Sequence, residues 1–410
     1  MKPIPAQIKN KSNTPYGSWK RILLWGILLL LLLYNFGGGS QPFDDLFPLY
    51  DFIEYWSAVR VFMDGGNPYG AADLLEIQKT VGWTDPKALM MWNPPWVLPL
   101  LIPLYFIPFQ VARLVWFLLN GILMVCAADY FWRSYGGPLN RRWMSWITVL
   151  LFLPALQSLV LGQITPLTLF GLWGFVWALN KNRFWEAGAF TVLISIKPHL
   201  LYLFWPLLAL WIFKNRKWSV LLGATGSLAF LTVIVLIMNP HAIANYWHSF
   251  YSNSGPNIWQ TPTWGIALQL LFGTSKIWIR FLPSLFGLIA ALLLWKRCGG
   301  QVSLEGWSIQ IPLLSLITCS FSWTLDWVAL LPLTVYLVTW YQCHPSSRWW
   351  IILVLISAQP ALAYSLGSGQ SNLYGIWYPP FLMGLYLLVV YYQIIRKGGH
   401  VEKANAIHPG

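Results

Sequence analysis

Apolar and polar positions are segregated along this chain into long blocks. Apolar runs cover residues 22–36 and then, approximately, 95–108, 111–131, 144–161, 166–180, 187–213, 219–238, 276–295, 307–322, 326–341, 349–365 and 376–395. A bilayer-crossing helix needs roughly 20 mostly apolar residues, so the pattern predicts an all-α integral membrane protein, a multi-span helical bundle of about 12 spans. The first run ends in Asn35-Phe36-Gly37-Gly38-Gly39, without the small-residue pattern of a signal-peptide cleavage site, and reads as an uncleaved span. Two hydrophilic stretches interrupt the series, 37–93 and 239–275. Within the first, Asp51 to Met63 carries Phe52, Trp56, Val59 and Met63 on one helical face, Gly65-Gly66 stops the helix, and Asn67-Pro68 turns the chain. Ala71 to Thr80 reads as a second short helix. Both are too short to span and are expected to lie as amphipathic helices on the membrane surface.

Composition agrees with this picture and narrows it. Of 410 residues, 57% are hydrophobic and 10% charged, and the mean hydropathy is +0.55. A soluble domain carries about a quarter charged residues, so a soluble enzyme, a disordered chain and a disulfide scaffold are excluded. The 28 Trp suit anchoring at membrane interfaces. The net charge of +13 belongs to cytoplasmic loops rather than to nucleic-acid binding, since no soluble basic domain exists to carry it. Lys214-Asn215-Arg216-Lys217, Lys296-Arg297 and Arg396-Lys397 mark those loops, whereas Arg141-Arg142 conflicts with a simple alternation. The resulting organisation is a cytoplasmic segment 1–20, one polytopic domain 21–395 with external loops 37–93 and 239–275, and a cytoplasmic tail 396–410.

The acidic residues are few, 13 in all, and eight fall in the first external loop: Asp44, Asp45, Asp51, Glu54, Asp64, Asp73, Glu76 and Asp85. Asp51 opens a helix with Tyr55 one turn on. It is read either as a first-turn acid complementing the helix dipole or as a general base at the mouth of a cavity. Glu54 reads as a solvated-face residue. Lys197, in Ser195-Ile196-Lys197-Pro198-His199, stands mid-run, where a buried lysine is costly and marks function unless it snorkels. The adjacent proline frees backbone groups and splits the helix, as where a cavity is lined. Arg113, Arg280, Asp129 and Asp326 lie nearer run ends, and Asp326 is placed to cap the following helix. Gly162-Gln163-Ile164-Thr165-Pro166 makes a tight polar turn between two apolar runs. The four Cys form no CxxC and the His no HxxxH or HExxH, so no metal is expected and no cofactor is implied.

An external carboxylate together with an intramembrane cation suits one chemistry. Sugar transfer from a polyprenyl phosphate needs a base to take a proton from the acceptor hydroxyl. It also needs a cation for the charge left on the phosphate. The phosphate leaves as an anion and needs no acid, so one base suffices, unlike the carboxylate pair of glycoside hydrolysis.

The residues that carry a resemblance are Asp51-Phe52-x-x-Tyr55-Trp56-x-Ala58, Gly65-Gly66-Asn67-Pro68-Tyr69 and Asn93-Pro94-Pro95, followed by Gly162-Gln163 and Lys197-Pro198. In this order they resemble glycosyltransferase family 87 over about residues 20 to 270. That family is similar to polyprenol-phosphate-mannose-dependent mannosyltransferases of the GT-C superfamily. The resemblance implies a GT-C-type multi-span bundle with surface helices in the first external loop and a catalytic Asp there, carried over to Asp51. It places the donor phosphate near Lys197 and His199, and substrate near Tyr55, Asn67, Tyr69, Asn93, Gln163 and Trp264. The family's middle motif is often K-x-Q-P, and Lys197-Pro198-His199 departs from it, which leaves His199 either a second donor or a backbone-bonded residue.

The sequence therefore points to a multi-pass plasma-membrane hexosyltransferase, mannosyl by resemblance. A polyprenyl-phosphate sugar donor would reach it from the bilayer, and a lipid or glycan acceptor from the extracytoplasmic face. Two alternatives stand beside this reading. A lipid-linked-sugar flippase or transporter would carry charge pairs or inverted repeats across the membrane. A lipid-linked glycan ligase or polymerase would use the late loop 239–275.

Overall fold

The computed structural model of the protein describes residues 50–252, 259–343, 349–367 and 372–406; the expected first span, Asp44 and Asp45 fall outside these. Every regular element among the described residues is helical. In chain order they are α1 (Tyr50–Met63), α2 (Ala71–Thr80), α3 (Leu98–Tyr105), α4 (Phe109–Ser134), α5 (Trp143–Leu151), α6 (Leu153–Leu161), α7 (Thr165–Asn180), α8 (Phe184–Ile194) and α9 (Phe204–Asn215). There follow α10 (Trp218–Met238), α11 (Ala242–Ser252), α12 (Trp264–Phe272), α13 (Leu282–Arg297), α14 (Ile311–Thr318), α15 (Leu331–Cys343), α16 (Trp349–Gly367) and α17 (Tyr378–Ala406), with short tight turns of helix preceding several of them.

Among the described residues, five helical segments are long and apolar enough to cross a membrane: α4, α10, Ile277–Arg297, Thr324–Cys343 and Leu373–Ile394. A sixth is counted if α5 and α6, bent by 62°, act as one span. The chain is a multi-pass membrane protein, but length and apolarity alone do not reach the expected count of about 12. Within the described residues, part of the difference has a local cause. The 187–213 run divides into α8 and α9, because Pro198 lacks an N–H to continue the ladder. The 144–161 run breaks at Phe152, just before Pro154, and the 95–108 run yields only a short helix rich in proline. Sliding hydropathy sums apolarity without asking whether the backbone ladder is continuous.

The first hydrophilic stretch differs from expectation in its packing. The helix over 51–63 and its glycine stop are present: Gly65 has φ +80° and Gly66 N–H bonds Val61 O at 2.8 Å. It is not an amphipathic surface helix, however. Residues 52–59 are all buried, polar Glu54 and Ser57 included. Phe52 stacks on Phe109 and lies tilted against Trp116 of α4, and Trp56 meets Phe109 edge-on, while Gln78 donates to Ser57 and the Trp92 N–H to Glu54, so protein covers the polar side of α1 as well. Helix α2 matches its predicted bounds and lays Leu74 and Gln78 on α1. The Gln78 amide donates to Ser57 Oγ (3.1 Å) and Leu89 O (2.7 Å) and accepts from Leu89 N (2.9 Å). This amide fastens the extended segment leading to Asn93 onto α1.

Helices α7, α8 and α10 form the tightest layer behind the site. Gly188 of α8 and Gly223 of α10 face one another across the crossing. A Cβ at Gly188 would stand 2.0 Å from Val220 O, and one at Gly223 2.0 Å from Trp185 O. Small residues let helix backbones touch in a membrane, where lipid tails remove the hydrophobic drive for association. A methyl group there meets backbone and cannot be relieved by a rotamer change. Gly188→Ala and Gly223→Ala are expected to lower stability by about 1–3 kcal/mol each. Gly226→Ala, on the same α10 but with nothing within 4 Å of its added Cβ, should be neutral or stabilising by up to about 1 kcal/mol. Thermal unfolding of the purified variants checks this; equal effects at 223 and 226 would refute the contact.

Candidate active site

The turn between α6 and α7 is built around Gly162, whose φ of +73° and ψ of 30° close α6 in a left-handed cap. The Gln163 N–H returns to Ser158 O at 2.9 Å. Two side chains of α4 hold the turn from behind: Trp116 Nε1 donates to Gly162 O (2.7 Å) and Asn120 Nδ2 to Gln163 O (3.2 Å). With its backbone fixed, the Gln163 side chain projects between three others. Its Nε2 donates to Asp51 Oδ2 at 2.7 Å, and its Oε1 accepts from Lys197 Nζ at 2.7 Å and Tyr55 Oη at 3.2 Å. The amide is thereby oriented: an oxygen must face the ammonium and an NH2 the carboxylate.

Lys197 comes from the break between α8 and α9. Residues of the chain's return into the bundle satisfy the backbone and side-chain groups the break exposes. Asn93 Nδ2 donates to Ile196 O (3.2 Å) and Trp96 Nε1 to Ser195 Oγ (2.9 Å). The Lys197 ammonium also donates to Asp326 Oδ1 at 2.7 Å, with side-chain exposures of 13% for the lysine and 2% for the aspartate. Asp326 is locked in turn. Its Oδ1 accepts from Thr165 Oγ1 (2.8 Å), and its Oδ2 caps the following turn by accepting from Trp323 N (2.9 Å).

These groups line a cavity of about 620 Å³. Of the residues singled out in the sequence, Asp51, Tyr55, Asn93, Gln163, Lys197 and His199 all line it. Three do not. Asn67 is spent in its own turn, its Oδ1 accepting from Tyr69 N (3.0 Å), and Tyr69 is buried with its hydroxyl on Asn93 O (3.1 Å). Both shape the loop without facing the cavity. Trp264 opens α12 after the Thr263 cap and is 43% exposed away from it; Trp259, five residues earlier, lines it instead. Glu54, expected on a solvated face, is 8% exposed and lines the cavity too, accepting from Trp92 N at 3.4 Å.

Asp326 and Thr165 were not assigned to the site beforehand. Asp326 was expected to cap a helix, and it does; that a cap can also pair a lysine 129 positions away is a property of the tertiary arrangement alone.

The electrostatics follow from three carboxylates and one lysine around one partly open cavity. Burial pushes the Asp51 carboxyl above its ordinary value, against the pull of Gln163 and Lys197. Glu54 is pushed further, by burial and then by the Asp51 charge, which favours its neutral acid. Asp51 sits in the first turn of α1, where the helix dipole supports an anion. Its Oδ2 is taken by Gln163, while Oδ1 has no partner among the described residues and is open to a hydroxyl.

The Lys197–Asp326 pair has a stability consequence. Removing one partner leaves an uncompensated buried charge, so Asp326→Ala is expected to cost about 3–5 kcal/mol. The double replacement Lys197→Met with Asp326→Leu removes both charges and should recover more than half of that loss. Thermal unfolding of the single and double variants reads this, and additive losses would mean the pair is not coupled.

Comparison with known families finds a match between residues 92–312 and glycosyltransferase family 87. Neither the curated proteins nor the solved structures contain a match. The matched segment begins later than the resemblance read from motifs and runs further, taking in Asn93, Gln163, Lys197 and His199, while Asp51 and Asp326 lie on either side of it. It spans more than half of the 410 residues: this membrane-embedded chain belongs to glycosyltransferase family 87.

Proposed function

We propose that the chain transfers a hexose, mannose, from a polyprenyl-phosphate donor to an acceptor hydroxyl on the extracytoplasmic side of the plasma membrane. Transfer proceeds with inversion, and Asp51 is the general base. The observation that carries this reading is the shared hold of Gln163 on Asp51 and on Lys197 within one cavity. A base and a cation are fixed at the two ends of one amide, as a single displacement at C1 requires.

In the proposed step the acceptor hydroxyl gives its proton to the open oxygen of Asp51. Its oxygen forms a bond to the sugar C1, and the C1–O bond to phosphate breaks. The bonding pair departs with the polyprenyl monophosphate, which leaves as a dianion. The Lys197 ammonium has three N–H donors; Gln163 and Asp326 occupy two, which leaves one for a phosphate oxygen. A hydrogen bond aimed at charge that grows in the transition state lowers the barrier. The GT-C-type bundle of about 12 spans is part of the same proposal, since it brings a lipid-borne donor to the cavity from the bilayer.

Two expectations follow for the purified protein given polyprenyl-phosphate mannose and an acceptor. Asp51→Asn keeps an oxygen for Gln163 and so should fold normally, yet lose about 10²- to 10⁴-fold in rate, the usual worth of a positioned base. Lys197→Ala should raise the donor KM more than the acceptor KM. Full activity of Asp51→Asn sinks the base assignment, and unchanged donor dependence in Lys197→Ala sinks that of the cation.

The raised Asp51 carboxyl sets the acid limb of the pH profile. The base works deprotonated, so activity rises with pH as Asp51 loses its proton and falls as it regains it. Because burial raises that group, the limb should lie above the ordinary aspartate range. A kcat/KM profile flat through that region would contradict the assignment.

A further inference from the structure

Helices α5, α15 and α16 leave a groove between them that shares no residue with the catalytic cavity. Its walls are Trp143, Ile147 and Leu151 of α5, Val338 of α15, and Leu355 and Ile356 of α16, around a space of about 110 Å³. The polar side chains that touch it are already bonded within the protein. The Thr148 hydroxyl donates to Met144 O (2.8 Å) and the Thr334 hydroxyl to Leu331 O (2.8 Å). The Gln359 amide donates to Leu355 O (3.0 Å) and Tyr378 Oη (2.8 Å), and its oxygen accepts from Leu153 N (3.0 Å), the N–H freed where α5 and α6 part. An occupant therefore meets an apolar lining with no polar group in need of a partner, which suits hydrocarbon.

Size decides between a hydrocarbon chain and another helix. A helix with its side chains is about 10 Å across, so a length of it matching α5 fills on the order of 1,000 Å³, far more than this groove holds. From Trp143 to Leu151 the groove runs about 12 Å at ~1.5 Å per residue, most of the ~15 Å depth of one leaflet's hydrocarbon.

Positive charge gathers at one end of this groove. Arg141 lies two residues before Trp143, and its guanidinium donates to the amide oxygen of Gln342, one turn beyond Val338, so that it stands at the groove's mouth between α5 and α15. Behind it, one carboxylate, Asp129 of α4, takes both Arg142 (2.7 Å) and Arg133 (2.9 Å). Three guanidinium groups against one carboxylate leave a surplus of two positive charges, and Arg141 has no acidic partner among the described residues. Helices α5, α15 and α16 contribute no Asp or Glu. Membrane topology by itself calls for positive charge at a cytoplasmic end; it does not call for an apolar groove that ends at an uncompensated arginine.

We infer that this groove seats one acyl chain of an anionic phospholipid, whose phosphate rests on Arg141 in the leaflet at the basic end of the bundle. A guanidinium offers a phosphate paired N–H donors, and basic pockets between membrane helices hold anionic head groups. The site goes beyond the proposed transfer and does not rest on it. The seated chain packs against Phe152, where α5 and α6 bend by 62°.

The purified full chain, stripped of lipid in detergent, is titrated with phosphatidylglycerol and with phosphatidylcholine of the same acyl chains, and bound lipid is counted by native mass spectrometry. One phosphatidylglycerol should bind about tenfold more tightly than phosphatidylcholine, the worth of a charge-assisted hydrogen bond. Arg141→Gln should bring the two lipids level. Arg297→Gln, on the last turn of α13 and off the groove, should leave the preference in place. Ile356→Trp, which fills the groove from a position 46% exposed, should weaken both lipids. Thermal unfolding identifies a variant that misfolds, and Leu151→Trp, 58% exposed on the facing helix, then takes its place. Equal affinity of the wild-type chain for the two lipids overturns the head-group assignment, as does an equal loss of preference in Arg141→Gln and Arg297→Gln. Groove-filling variants that bind lipid as the wild type does overturn the groove. Displacement of phosphatidylglycerol by equimolar polyprenyl phosphate gives the site to an isoprenoid and overturns the phospholipid. A wild-type dimer that Ile356→Trp converts to a monomer gives it to a second copy of the chain.

Discussion

A lysine ammonium inside an apolar bundle is the constraint on which the rest of the site depends. An isolated charge there costs several kcal/mol, so the fold must supply partners. Asp326 supplies the countercharge and Gln163 a neutral acceptor. Supplying them fixes much else. Asp326 must be immobile, and the Thr165 hydroxyl and Trp323 N–H make it so. Gln163 must point its oxygen at Lys197, which turns its NH2 toward Asp51. The orientation of the proposed base is thus a consequence of neutralising a cation on another element.

The same constraint explains where the helices break. An uninterrupted helix through 187–213 would bury Lys197 within an apolar cylinder with no countercharge in reach. The break at Lys197-Pro198 brings the ammonium to the cavity, and Asn93, Trp96 and Trp205 take up the groups the break exposes. Irregular backbone at membrane depth is tolerated where it lines a cavity and is satisfied by protein. Behind it, α8 and α10 touch backbone to backbone at Gly188 and Gly223, so the layer carrying the break has no slack. Tight packing behind and open space in front are what a pre-arranged site requires.

The helical class, the two short helices between 50 and 80, the glycine stop and the break at Pro198 were legible in the sequence, because each has a local cause in a nearby Gly, Pro or apolar period. Asp51 and Lys197 also stood out, because charge is scarce enough to be conspicuous, and both line the cavity. What stayed hidden depended on distant partners. Glu54 looks solvated in α1 and is buried only because neighbouring elements cover that face. Asp326 shows a cap in sequence, whereas its pairing with Lys197 needs two segments brought together by the bundle. Trp264 and Trp259 are indistinguishable as letters; the start of α12 turns one outward and leaves the other in the cavity. Length and apolarity count fewer spans than the apolar runs suggest wherever apolarity continues across a broken backbone ladder.

The proposed transfer requires a lipid phosphate against Lys197 with its sugar facing Asp51. A density map of the full chain with bound polyprenyl-phosphate mannose measures this directly. The predicted result is a phosphate oxygen within hydrogen-bond distance of the Lys197 ammonium, Gln163 still bridging to Asp51, and the anomeric carbon turned toward the open Asp51 oxygen. A phosphate bound away from Lys197, or a sugar held beyond the reach of Asp51, would contradict the account.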